Sequence, residues 1–97
     1  MTNEQLQNIL NSVVKQEYPE IDVEIFVMTE RHAVYIDSTK KLVYNIIFMV
    51  PPSDYDKYFS EGIDKHKWDK IRGLIRDIIK MSGIFDKVVF HFRERIG

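Results

Sequence analysis

The sequence predicts an α+β domain of order α-β-β-β-α-β. It is read as a mostly antiparallel four-stranded sheet, the last strand parallel to the third, with the helices packed on the sheet. Three observations lead there. Leu42 to Val50 is a short run rich in β-branched and aromatic residues and apolar on both alternating faces, as a central strand of a covered sheet should be. Two segments carry apolar residues at helical spacing, and the segments from Ile21 and from Lys87 alternate with period two.

The first helix opens with Thr2 and Gln5 in capping-box spacing and continues with Leu6, Ile9, Leu10, Val13 and Val14, ending before Pro19. Ile21, Val23, Ile25 and Val27 then point inward while Asp22 and Glu24 point out, which makes a half-buried strand. The polar run Thr29–His32 is expected to turn, Ala33–Asp37 to form a short second strand, and Ser38–Lys41 to turn into the third. Pro51 and Pro52 stop that strand, and Ser53 and Asp56 suit a short helical turn over Tyr55–Ser60 that Gly62 ends. Asp64 is expected to cap the longest helix, whose buried stripe is Trp68, Ile71, Leu74, Ile75, Ile78 and Ile79. Ser82-Gly83-Ile84 closes it, glycine standing where a left-handed residue is wanted. The fourth strand is Lys87–Arg93, where Val88, Phe90 and Phe92 alternate with Val89, His91 and Arg93, and a right-handed crossover sets it parallel to the third.

At 97 residues the chain is about one domain long, so 1–97 is read as one compact unit. Cysteine is absent, which excludes disulfides and thiolate chemistry. Met1-Thr2-Asn3-Glu4-Gln5 is polar with no apolar run behind it, so neither a signal peptide nor a membrane span is expected and the expected compartment is the cytoplasm, of a host cell if the protein is viral. Lys plus Arg number 14 against 15 Asp plus Glu, so there is no general attraction to nucleic acid or membrane.

The six-element order is similar in topology to restriction-endonuclease-like nucleases, to phage tail-terminator and neck proteins and to bacterial secretion chaperones. Its first five elements are similar to double-stranded-RNA-binding domains. The likeness covers no motif, and fold does not settle function. It implies a phage structural component as one possibility. A nuclease of the first kind needs carboxylates on its second and third strands and a lysine two residues after one of them. Here Asn45 is the third strand's only strongly polar residue, and Asp37 is a partial match better explained as a turn starter. His32, His66 and His91 show no ligand spacing, Asp54 and Asp56 lack the further oxygen ligands and glycine of a calcium loop, and Gly62, Gly73 and Gly83 form no phosphate cradle. Gly73, inside a helix, is expected to mark close packing on the sheet or a partner. No catalytic residue, cofactor or metal is assigned.

Two surface features remain. Lys65, Arg72, Arg76 and Lys80 follow one side of the long helix, shared with Asp69. With Arg93 and Arg95 they would form a nucleic-acid-binding surface, which is the alternative reading. The favoured reading rests on apolar residues. Tyr55, Tyr58 and Phe59 crowd a connecting segment, while Phe26 and Met28 fall on the polar face of the first strand. Edge strands offer further places for another chain to pair. The chain is therefore expected to be a non-enzymatic protein-interaction or assembly module, a homo-oligomer or a binder of another protein.

Overall fold

The computed structural model describes residues 1–33, 40–51 and 62–95. These form helix α1 (Asn3–Glu17), strands β1 (Glu24–Ala33) and β2 (Lys40–Val50), helix α2 (Gly62–Met81) and strand β3 (Lys87–Glu94). Among the described residues the sheet has three strands in the order β1-β2-β3, with β1 antiparallel and β3 parallel to β2. The small α+β architecture and the parallel last strand agree with the sequence reading.

The four-stranded sheet and the six-element order do not. Thr29–His32, read as a turn, is strand, paired residue by residue with Tyr44, Val43, Leu42 and Lys41. The run is polar but holds no glycine, proline or asparagine, and its β-branched threonine suits an extended backbone. Polarity there reflects exposure at Glu30 and Arg31, not a change of direction. Of the predicted Ala33–Asp37 strand only Ala33 is described, and it closes β1 opposite Lys40. Residues 34–39 and 52–61 lie outside the described residues, and with them Asp37, Asp54, Asp56 and the predicted turn Tyr55–Ser60.

Both helix ends foreseen from sequence are built from specific bonds. Thr2 Oγ1 accepts from the Gln5 N–H at 3.1 Å while Gln5 Oε1 accepts from the Thr2 N–H at 2.9 Å, a complete capping box. At the far end of α2, the Ile84 N–H donates to the Ile79 carbonyl at 3.2 Å and the Gly83 N–H to the Lys80 carbonyl at 3.0 Å. This is a Schellman closure around Gly83 at φ 81°, a left-handed conformation that glycine adopts without a Cβ clash. The start of α2 lies at Gly62, ahead of Asp64, so Asp64 belongs to the first turn and is not the cap.

Strand parity decides what is core. Ile25 and Val27 of β1, Ile46, Phe48 and Val50 of β2, and Val88, Phe90 and Phe92 of β3 all face the helices. They pack on Leu6, Leu10 and Val14 of α1 and on Trp68, Ile71, Ile75 and Ile79 of α2. Phe48, Trp68 and Phe92 form a cluster of rings, with Trp68 edge-on to Phe92 at 5.0 Å and tilted to Phe48 at 5.2 Å. The buried stripe of α1 is narrower than the sequence suggests, because Ile9 is exposed. The neighbouring flank of that helix has a different task.

That task is to close the edge of the sheet. The outer edge of β1 carries the N–H and C=O of Ile25 and the N–H of Val27, since the alternate residues bond to β2. Asn11 uses its side-chain amide as a substitute peptide group, donating from Nδ2 to the Ile25 carbonyl and accepting at Oδ1 from the Ile25 N–H, both at 2.8 Å. Gln7 Oε1 accepts from the Val27 N–H at 3.0 Å. An asparagine inside a helix costs local propensity, and here the bonds to the strand offset it. Pairing with another chain through the Ile25–Val27 stretch of this edge is blocked.

Candidate protein-interaction face

The opposite side of the sheet carries no described helix, and its side chains follow from the same parity. The registers arrange them in four rows across β1, β2 and β3: Glu24–Met49–Arg93, Phe26–Ile47–His91, Met28–Asn45–Val89 and Glu30–Val43–Lys87. Phe26 is 39% exposed and Met28 is 59% exposed, although both lie in a strand whose other face is core. The two residues that the sequence placed on the polar face of the first strand stand there. Charges flank them by strand, with Glu24 and Glu30 on the β1 side and Lys87 and Arg93 on the β3 side, all exposed.

A polar link crosses the middle of this face. Asn45, only 9% exposed, donates from Nδ2 to Glu30 Oε1 at 2.7 Å, and its Oδ1 lies 2.8 Å from His91 Nε2. Because the carboxylate oxygen accepts, the amide must turn its nitrogen to Glu30 and its oxygen to His91, so Nε2 of His91 carries the proton. The link ties all three strands together on the side away from the core. The sequence singles out Asn45 and places His91 on the outer face, but the connection is not legible there, because the polar run Thr29–His32 that holds Glu30 reads as a turn. A depression of about 230 Å³ lies between Met28, Asn45, Ile47 and His91. It is shallow and smaller than the roughly 300–1,000 Å³ of pockets that enclose small ligands.

The remaining predicted site residues are placed as follows. Tyr55, Tyr58 and Phe59 lie outside the described residues. Arg72 and Arg76 lie on one flank of α2 over the helix-side face of β3, with Arg76 Cζ 4.9 Å from the Phe90 ring centre and Arg72 Cζ 6.0 Å from that of Phe92. Arg72 also pairs with Asp69. Partial burial, and secondarily the charge of Arg76, lowers the pKa of Arg72 below its ordinary value. Lys80 continues this flank one turn on, and Lys65 lies in the first turn of α2. Arg93 stands on the other face of the sheet, where its Nη1 donates to the Phe92 carbonyl at 2.8 Å. Arg95 reaches across the Met49 carbonyl to Asp22 at 3.2 Å, and the hydrogen bond it donates to the Asp22 carboxylate raises its pKa. Lys65 aside, the cations considered for nucleic acid are thus divided between two faces and one end of the sheet.

Gly73 shares the basic flank of α2, and a Cβ added there would meet nothing within 4 Å, so close packing among the described residues is not its reason. Among the described residues no group of three or more His, Cys, Asp or Glu side chains is arranged to hold a metal ion. No described helix is long and apolar enough to cross a membrane. No family model matches the chain, and no curated protein or solved structure matches it either.

Proposed function

We propose that this protein is a non-enzymatic interaction module that docks on protein through the face of its sheet that carries no described helix, and takes part in an assembly. The observation that carries the reading is the exposure of Phe26 and Met28 on the strand face turned away from the core. Isolated apolar residues on a surface are ordinary, but these two sit side by side along β1, with Ile47 of β2 beside Phe26 and Val89 of β3 in the same row as Met28 beyond Asn45. Covering a phenylalanine and a methionine fully is worth about 2 kcal/mol each, a driving force set against the cost of association. The Glu30–Asn45–His91 link supports the same reading, because it leaves the polar groups at the centre of the face already bonded.

Light scattering over a wide range of protein concentration tests this. The wild type should gain mass with concentration, and Phe26→Ser with Met28→Ser should hold it at monomer mass while leaving the melting transition cooperative. A wild type that keeps one mass at every concentration and a doubly substituted protein that behaves identically would set the reading aside.

A further inference from the structure

The rows of the face without a described helix are charge-polarised across the sheet, and this restricts what can lie on it. Glu24 and Glu30 form one column along β1, and Lys87 and Arg93 form another along β3, with the apolar residues between them. Glu24 lies level with Arg93 and Glu30 level with Lys87. Two packed sheets keep their strands nearly aligned about 10 Å apart. A second copy can then be brought face to face by a two-fold axis along the strands or by one across them.

The two axes give opposite electrostatics. An axis running along β2 exchanges the β1 side for the β3 side while keeping each row at its own height. Glu24 of one copy then stands over Arg93 of the other, Glu30 over Lys87, Phe26 over His91 and Met28 over Val89. An axis perpendicular to the strands keeps β1 over β1 and reverses the rows, which sets Glu24 over Glu30 and Lys87 over Arg93. Like charges facing each other across an interface oppose association and unlike charges favour it. The face is self-complementary in one arrangement only.

We propose that the occupant of this face is a second copy of the chain, docked isologously about a two-fold axis along β2, with Glu24 and Arg93 paired across the interface. The inference rests on the docking reading above and adds the partner and the register. Each Glu24–Arg93 contact occurs twice by symmetry. Arg93 has donors to spare, since the bond to the Phe92 carbonyl uses only one of the roughly five N–H groups of a guanidinium. The area is modest. Three strands about 4.8 Å apart and seven residues at about 3.3 Å per residue outline only a few hundred Å² of each copy, below the usual size of a stable specific interface. The dimer is accordingly weak and dissociates further as salt rises.

The test is a charge exchange between copies, read by sedimentation equilibrium. Glu24→Arg alone places arginine over arginine twice, and Arg93→Glu alone places glutamate over glutamate twice, so each should weaken dimerisation at least tenfold. Mixing the two variants restores both pairs in the heterodimer, which should form with the wild-type affinity. Within one copy, positions 24 and 93 are separated by β2, so restoration in the mixture reports on pairing between copies. If the single variants dimerise like the wild type while Phe26→Ser with Met28→Ser abolishes association, the register is overturned and the docking reading stands. If both single variants are weakened and the mixture is no better, the axis along β2 is overturned. A wild type that is monomeric throughout overturns the register and the docking reading together. Circular dichroism melts equal to wild type confirm that each variant is folded.

Discussion

Replacing Asn11 by alanine isolates the contribution of one side chain to closing the sheet. In the wild type its amide makes two bonds to the backbone of Ile25 and a third to the Gln7 carbonyl. Ile25 is 1% exposed, so its N–H and C=O lose their partners in a place water reaches poorly. Each unsatisfied backbone group costs about 1–3 kcal/mol, and partial hydration through the gap holds the value near the lower end. Against this, alanine is the better helix former by about 0.6 kcal/mol. The net loss is about 2 kcal/mol, which for a domain of this size lowers Tm by about 8–16 °C. Gln7→Ala, which strands only the Val27 N–H, should lose about half as much. Urea unfolding followed by Trp68 fluorescence measures both, because Trp68 is the only tryptophan and is buried. An Asn11→Ala protein as stable as the wild type would refute the account of the β1 edge.

Gly73 and Gly83 should respond in opposite directions. Gly73→Ala, with open space at Cβ in a helix interior, should stabilise by about 1 kcal/mol, and a loss instead would mean that something packs on that flank. Gly83→Ala, at φ 81°, should cost about 1–2 kcal/mol by forcing a Cβ into the left-handed region; both are read from urea midpoints. The ion pair between Lys67 Nζ and Glu20 Oε1 at 2.8 Å ties α2 to the segment before β1 and depresses the Glu20 pKa, chiefly through the hydrogen bond. A depressed carboxyl contributes stability above its unfolded pKa and loses it as pH falls through the folded value. Lys67→Met should therefore move the Glu20 midpoint back up in an NMR titration and remove that part of the acid dependence. An unchanged midpoint would count against the pair.

Much of this was legible in the chain because it is local. The Thr2–Gln5 box, the Gly83 closure and the alternation through β3 depend on residues a few positions apart, and each formed as expected. Phe26 and Met28 were legible too, since period two assigns them to the face opposite Ile25 and Val27. The extent of β1 was not, because four polar residues in a row look alike whether they turn or lie exposed in a ladder. The same parity already separated Arg93, in phase with Val89 and His91, from the helix-side residues Phe90 and Phe92 over which Arg72 and Arg76 lie. Grouping those cations by sign alone overlooked it. The use of Asn11 and Gln7 as edge caps had no sequence signal at all, for it depends on where α1 comes to rest against β1.

The docking claim is most directly tested with the methionine methyl groups as reporters. The chain has four methionines: Met28 and Met49 lie on the face without a described helix, while Met1 and Met81 are exposed elsewhere. Broadening of their methyl resonances by a soluble paramagnetic agent is measured at low and at high protein concentration. The account predicts that Met28 and Met49 become shielded at high concentration while Met1 and Met81 stay as accessible as before. Equal broadening of all four at both concentrations, or shielding confined to Met81, would contradict it.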